Sequence, residues 1–339
     1  PIAISKEGSW LNPSQSLSLF PEQTRKLLNS GAEHFPQSAI ALLGDTKYKG
    51  ITKINASDAE ENLSPLDVVF TVLHGTYGED GTIQGLFEMA GIPYVGCDVL
   101  ASACGMDKVV MKALFRDAEL PICRYVWFLR NEWENAGEEV VIKQIEAKLG
   151  YPCFVKPANL GSSVGVSKAE DKESLGKAIA LAAEFDRKII VEEALDMREI
   201  ECAVIGNDHP QASLPGEYIV YDESKKFLDY TEKYTGTGNN DFIVPALISE
   251  ELTKKIQQIA VTAFKAVSGS GLARIDFFLR NDTGALLVNE INTLPGLTDA
   301  SGFPKMWAGS GMNFSKVIDS LVEFAFEKHA DKMRNKTNI

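Results

Sequence analysis

Residues 272–296 read LARIDFFLRNDTGALLVNEINTLPG, and the way this stretch folds back on itself decides the architecture around it. Two apolar runs flank Asn281-Asp282-Thr283-Gly284, residues that tolerate the backbone angles of a tight turn, so the stretch predicts a β-hairpin. Side chains alternate faces along a strand, which puts Arg274 and Asp276 on one face of the first strand and Glu290 and Asn292 on one face of the second. Pairing about Thr283 sets Asp276 across from Glu290 and Arg274 across from Asn292. Opposed carboxylates repel, and in an otherwise apolar hairpin they persist best with a cation between them. Asp, Glu and Asn oxygens are hard donors, the set expected for Mg²⁺ held together with substrate phosphates. The plain alternative is the wet face of an amphipathic hairpin, with Arg274 neutralising its neighbours.

At 339 residues the chain is long enough for about two or three domains with real cores. Hydrophobic residues at 45% and charged residues at 24% are ordinary for a soluble globular protein, and the net charge of −13 argues against nucleic acid as a partner. No apolar run approaches the roughly 20 residues that cross a bilayer, and the first residues lack a basic segment followed by an apolar one, so a cytoplasmic location is the default expectation. Cys97, Cys104, Cys123, Cys153 and Cys202 are scattered and never form a C-x-x-C pair. They read as small buried hydrophobes, not as a disulfide frame or a zinc site.

Outward from the hairpin, the segment 11–64 reads as polar loops with candidate strands near 38–43 and 48–54. The run LDVVFTVL at 66–73 has the length and continuity of a strand covered on both faces of an α/β sheet. It leads into HGTYGEDG at 74–81, where His74 and Glu79 stand beyond a strand end, the usual place of a ligand in such sheets; a glycine-rich turn with a capping His is the alternative. A helix over 82–90, a short strand PYVG and a helix over 101–118 follow, then a linker strand at 119–123 and an amphipathic helix over 138–149. Lys156 interrupts the apolar strand YPCFVKP, and a lysine buried without an anion is costly. The small residues of NLGSSVGV at 159–166 follow it, able to wrap phosphates with backbone N–H groups though matching neither a P-loop nor a dinucleotide fingerprint. A helix over 175–185, a strand KIIVEEAL at 188–195, an alternating strand from Glu199 and a helix over 250–267 complete the approach to the hairpin. The polar, glycine-rich DYTEKYTGTGNND at 229–241 has the length of a lid, and a last helix over 313–329 runs into a polar tail.

FVKPANLGSSVGV, VEEAL with its following glutamate, DYTEKY, LARIDFF and NEINTLPG occur in the order and spacing of the ATP-grasp enzymes. HGTYGEDGTIQG and Met106-Asp107-Lys108 extend the match, so that residues 66–325 resemble the D-alanine–D-alanine ligase family. The resemblance implies an α/β and α+β chain: a truncated Rossmann-like pre-ATP-grasp domain over 1–105, a small central ATP-grasp domain over 106–195, a C-terminal ATP-grasp domain over 196–330 bearing the lid at 229–241, and a tail over 331–339. It implies ATP between two sheets, with Lys108 and Lys156 on the phosphates and adenine side, Glu192 on adenine, the backbone of Glu193, Ala194 and Leu195 along its edge, and Glu199 on the ribose. Gly161, Ser162 and Ser163 would cover the phosphates, and Asp276, Glu290 and Asn292 would hold two Mg²⁺ ions, replaceable by Mn²⁺, with a monovalent cation as accessory. Arg274 and the Gly296 N–H would face the tetrahedral oxyanion. His74, with Glu79 behind it, would meet the first D-alanine, and Ser301 the carboxylate of the second. On the lid, Lys233 would reach the transferred phosphate and Tyr234 would bond Ser162. The partners implied are ATP and D-alanine, together with a second copy in a homodimer.

Tyr234 favours an amine over a hydroxyl acceptor, because relatives making the depsipeptide replace it. Relatives that add D-serine tend to carry Arg where this chain has Gly302. Two features depart from the family. The motif G-G-x-S-x-E-x-x-V-S is absent from the start, where PIAISKEG matches a later strand; an N-terminally incomplete form is the preferred reading over a lost substrate ligand. Thr298-Asp299-Ala300-Ser301 replaces the usual T-S-H-S and puts a negative charge near the second carboxylate. The competing functions are another carboxylate–amine ligase, including a D-alanine–D-serine ligase, and a non-catalytic Mg-ATP-binding relative.

Overall fold

The computed structural model of the chain describes residues 1–5, 8–28, 40–53, 61–161, 164–220 and 240–336. They fall into two compact units, Pro1–Val69 with Gln84–Tyr94, and Phe70–Ile83 with Val95–Ile339.

In the first unit, helices α1 (Pro13–Ser18) and α2 (Glu22–Leu28) occupy part of the segment expected to be polar loop. A reciprocal cap starts α1: Asn12 Oδ1 accepts the Gln15 N–H at 2.9 Å and Gln15 Oε1 accepts the Asn12 N–H at 3.1 Å, with Pro13 preset for the first turn. Strands β1 (Ile40–Leu42), β2 (Gly50–Lys53) and β3 (Glu61–Pro65) form an antiparallel sheet in that order. The first two answer the candidate strands. The run 66–73 does not form the expected strand; it makes a single parallel bridge, Val69 to Tyr94. Its sequence passes from one unit to the other after Val69, so no strand among the described residues pairs along its length, and Val72 is exposed. PYVG shrinks to the same bridge for the same reason. Helix α3 (Thr82–Ala90) falls where expected, with the Phe87 and Tyr94 rings 5.5 Å apart.

In the second unit two helices, α4 (Val99–Met106) and α5 (Lys108–Asp117), replace the single helix expected over 101–118. Asp107 breaks it: its ψ of 104° is extended, and its carboxylate accepts the N–H groups of Val109 at 3.0 Å and Val110 at 3.1 Å, capping α5. Residues 119–123 are irregular, and the strand comes next as β4 (Tyr125–Leu129). Then follow α6 (Arg130–Ala136), α7 (Glu138–Lys148), β5 (Cys153–Pro157), β6 (Ser167–Ala169), α8 (Lys172–Phe185) and β7 (Lys188–Glu193). These strands form an antiparallel sheet in the order β4-β7-β5-β6. Alternation sends Cys153, Val155, Ile189 and Val191 into a core with α7 and α8. Lys156, Ile190 and Glu192 take the other face, where Val109 of α5 packs on Ile190.

The chain continues through β8 (Met197–Gly206), β9 (Gln211–Ala212), β10 (Gly216–Val220), β11 (Asn240–Ile243), α9 (Glu250–Ala266), β12 (Gly271–Arg280), β13 (Leu286–Asn292), α10 (Gly302–Gly309) and α11 (Phe314–Lys332). The larger sheet runs β11-β10-β8-β12-β13, with β9 on β8. Ile275 and Phe277 of β12 and Ile200 and Cys202 of β8 bury against Ile256 and Phe264 of α9 and against Met111 and Phe115 of α5. Each fully buried side chain of this kind contributes about 1.5–3 kcal/mol. Helix α5 is thus shared by both sheets, which fixes where its lysines point. All five cysteines are free, and among the described residues no helix is long and apolar enough to cross a membrane.

Candidate active site

The hairpin forms with Asp276 directly opposite Glu290 and Arg274 opposite Asn292. Its turn end is registered differently from a pairing about Thr283: Leu279 faces Leu286 and Phe277 faces Val288. Asn289 is therefore an extra residue, a β-bulge, and it is the bulge that returns Glu290 to the face of Asp276. Strand β8 adds a third carboxylate to the row, because Glu201 lies opposite Asp276 on the other side.

Cations already sit among these acids. Arg274 grips Asp276 through two bonds of 2.7 Å, Nε to Oδ1 and Nη2 to Oδ2, and its Nε lies 3.3 Å from Glu201 Oε1. The Asn292 amide donates to Asp276 Oδ2 at 3.0 Å, and Lys108 Nζ stands 3.5 Å from Glu290 Oε2. The neutralisation by Arg274 anticipated for a plain wet face is therefore present. The oxygen donors of Asp276, Glu290 and Asn292, with no sulfur or imidazole among them, also fit a hard divalent cation.

Across the unit, α5 presents Lys108 and Lys112 one turn apart on one face. Lys108 donates to the Leu160 carbonyl at 2.8 Å and so ties the start of the 159–166 loop, including Gly161, to the Glu290 end of the hairpin. Lys112 lies 2.9 Å from Glu192 Oε1, and Lys156 donates to Glu192 Oε2 at 2.6 Å. Burial alone would raise the Glu192 carboxyl; the two ammonium groups outweigh it and hold it well below the usual carboxylate range. Next to it, Glu193 accepts the Arg124 backbone N–H and Nε, each at 2.8 Å. The N–H groups of Glu193 and Ala194 go to the carbonyls of Arg124 and Pro152, and Leu195 continues the edge. Glu199 lies opposite Phe278, on the same face of β8 as Glu201.

The loop 74–81 is compact because Gly78 lies against the Leu73 carbonyl, where a Cβ would come within 2.0 Å of the oxygen. Glu79 accepts the Gly75 N–H. Its carboxyl is raised chiefly by burial and further by the charge of Glu290, against the lowering effects of Gly75, His74 and Arg274, which places this loop beside the hairpin face. After the hairpin, Ser301 Oγ meets the Thr298 N–H at 3.2 Å and Thr298 Oγ1 at 2.9 Å, and a Cβ on Gly296 would lie 2.6 Å from Ser301 Oγ. Gly302 is packed so closely that a Cβ would lie 2.6 Å from Glu201 Oε2 and 2.8 Å from Phe242 Cζ. Asp299 is exposed. Ser162, Ser163, Lys233 and Tyr234, and the lid apart from its last two residues, lie outside the described residues.

Three residues central to this geometry belong to no quoted motif. Lys112 was legible only as the residue four after Lys108, and Glu201 only through its alternation with Glu199. Arg124 carries no local signal, since its partner Glu193 is 69 residues away.

A family model described as the D-ala D-ala ligase C-terminus matches residues 114–323, and one described as the D-ala D-ala ligase N-terminus matches residues 1–97. The D-alanine–D-alanine ligase of Ruminiclostridium cellulolyticum is 46% identical over 340 residues, covering 99% of this chain and 89% of that protein. That of Heliobacterium modesticaldum is 50% identical, covering 99% and 87%. Among solved structures, the VanG D-Ala:D-Ser ligase of Enterococcus faecalis superposes with a TM-score of 0.80 at 39% identity, covering 96% of this chain and 89% of that one. The D-alanine–D-alanine ligase of Coxiella burnetii superposes with a TM-score of 0.77 at 33% identity, covering 98% and 86%. Two ATP-grasp sheets, the opposed carboxylates on β12 and β13 and these likenesses lead to one conclusion: the chain belongs to the D-alanine–D-alanine ligase family.

Proposed function

We infer that this chain joins two D-alanine molecules into D-alanyl-D-alanine with conversion of ATP to ADP and phosphate, a ligation that feeds peptidoglycan synthesis. The observation that carries the reading is the in-register row of Asp276 and Glu290, flanked by Arg274 and Asn292 and joined through α5 to the Lys156–Glu192 pair. ATP lies between the four-stranded sheet of the central domain and the larger sheet of the C-terminal domain. Glu192 and the edge from Glu193 to Leu195 meet adenine, and Glu199 meets the ribose. Lys108, Lys156 and the Gly161 loop meet the phosphates. Asp276, Glu290 and Asn292 would hold Mg²⁺, with Mn²⁺ able to replace it, and bound metal would supply positive charge beside the γ-phosphoryl group.

A carboxylate oxygen of the first D-alanine attacks the γ-phosphorus, the bond to the β–γ bridging oxygen breaks, and ADP leaves. His74, supported by Glu79, keeps that substrate against the hairpin. The amine of the second D-alanine, held at its carboxylate by Ser301, then attacks the acyl carbon and loses a proton as phosphate departs. Arg274 and the Gly296 N–H face the oxyanion of that step.

The close packing of Gly302 on Glu201 and Phe242 favours D-alanine over D-serine as acceptor, since an arginine there has no room without displacement of both. The test is ADP release with Mg-ATP and D-alanine, with D-serine, D-lactate and L-alanine as parallel acceptors and the product identified by mass. D-alanine-dependent release yielding D-alanyl-D-alanine is expected. ATP binding with no release on any acceptor would leave a non-catalytic relative.

A further inference from the structure

Lys112 is the largest fully buried polar side chain of the unit, and the reaction just described gives it no task. Its ammonium meets three partners: Glu192 Oε1 at 2.9 Å, the Asn289 carbonyl at 3.2 Å and Cys123 Sγ at 3.5 Å. The ammonium is thus enclosed, at ion-pair distance from Glu192 and hydrogen-bonded to Asn289 and Cys123. Asn289 is the bulge residue beside Glu290, and its carbonyl accepts from Lys112. Lys112 thereby ties the nucleotide side of the site to the hairpin.

Lys156 differs in both respects. Among the described residues its ammonium meets one acceptor, Glu192, and its side chain keeps 14% exposure against 0% for Lys112. Two lysines on one carboxylate leave a net positive charge in a nearly dry place, which an incoming anion can offset. For Lys156 to turn to a phosphate, Glu192 must not be abandoned, because a buried carboxylate stripped of its last cation is strongly unfavourable.

We propose that Lys112 is a positioning residue for the nucleotide, the fixed counter-cation of Glu192 that leaves Lys156 at liberty to swing onto the phosphates of ATP. This rests on the ATP-binding part of the reading above and not on the identity of the amino-acid substrates. With Lys112 absent, Lys156 becomes the sole partner of Glu192 and is held there. The loss then falls on the phosphate contacts and not on the adenosine contacts.

The experiment compares the affinities of Lys112→Met for Mg-ATP and for adenosine, by calorimetry without D-alanine, with those of the unaltered chain. The expected result is at least a tenfold loss for ATP with adenosine changed by less than about twofold, and partial recovery of ATP binding in Lys112→Arg. Equal losses for both ligands would make Lys112 a purely structural residue and overturn the proposal, as would no loss for either. If Lys112→Met does not fold, the crystal structure of the unaltered chain with ADP decides. Lys112 kept on Glu192 with Lys156 moved to a phosphate supports the proposal, and Lys156 still on Glu192 overturns it. ATP binding without D-alanine-dependent ADP release would defeat the ligase reading alone; no ATP binding by the unaltered chain would overturn both.

Discussion

Glu192 sits 3% exposed between two ammonium groups, whereas Asp276 and Glu290 lie 14% and 29% exposed on a sheet face with Arg274 and Lys108 beside them. Within the first, the Lys112–Glu192 pair cannot be parted cheaply, since both charges have lost their water and depend on each other, whereas Lys156 keeps some exposure. The second is wetter, so water offsets more of the cost when its pairs part. The fixed pair fits the role proposed for Lys112 in nucleotide binding, and the wetter row fits the proposed assignment of Asp276 and Glu290 as metal ligands.

Removing a hairpin carboxylate breaks this contrast most severely. Asp276→Ala or Glu290→Ala should lower turnover by roughly a thousandfold or more, the scale of losing the group that stabilises developing charge. Thermal melting should stay close to that of the unaltered chain because these pairs are wetter. Full activity in either variant would sink the metal assignment, and collapse of the fold would show that the two clusters do not differ in kind.

The opposite pattern is expected at the fixed cluster. Glu192→Gln leaves Lys112 and Lys156 buried together without an anion, at a cost of about 3–5 kcal/mol in stability. Urea denaturation measures it. A midpoint unchanged from the unaltered chain would mean that the triad is wetter than its geometry implies.

Gly302→Ala should act on a smaller scale. Its Cβ would meet Glu201 Oε2 at 2.6 Å and Phe242 Cζ at 2.8 Å, an overpacking that costs about 1–3 kcal/mol. Displacement of Glu201 disturbs Arg274, so the KM for the second D-alanine should rise while the affinity for ATP holds. Equal changes in both would place Gly302 outside the acceptor side of the site.

The legibility of these regions in the sequence follows the range of the interactions. The carboxylate pair of the hairpin was readable because turn residues and alternation are local, yet the bulge was not. Pairing about Thr283 predicts the register of the acidic row, whereas the turn end takes another, and Asn289, with nothing distinctive about it, reconciles them. The α4–α5 break was readable in principle, since Asp107 is a good cap, but a continuous apolar periodicity outweighed it. The run 66–73 misled for a physical reason: its composition is that of a buried strand, while pairing depends on neighbours that composition does not specify. Lys112 and Glu192 are 80 residues apart in sequence, and only the packing of α5 on both sheets brings them together.

A third carboxylate sharpens the comparison by a smaller effect. Glu79 is buried like Glu192 but near the hairpin cations, and burial wins there: its carboxyl lies above the ordinary value, where that of Glu192 lies below. A carboxyl raised in the folded state binds its proton more tightly than in the unfolded chain. The stability it contributes is complete below the ordinary carboxylate range, near pH 4.3, and is lost as pH rises through the raised value. Glu192 behaves in the opposite sense: its contribution is present above that range and lost only as pH falls well below it. Glu79→Gln keeps an oxygen for the Gly75 N–H and abolishes the titration. The stability of the variant relative to the unaltered chain, from urea midpoints at about pH 4, 5.5 and 7, should therefore climb with pH. A difference that stays flat would mean that Arg274 and His74 compensate Glu79 as fully as the two lysines compensate Glu192.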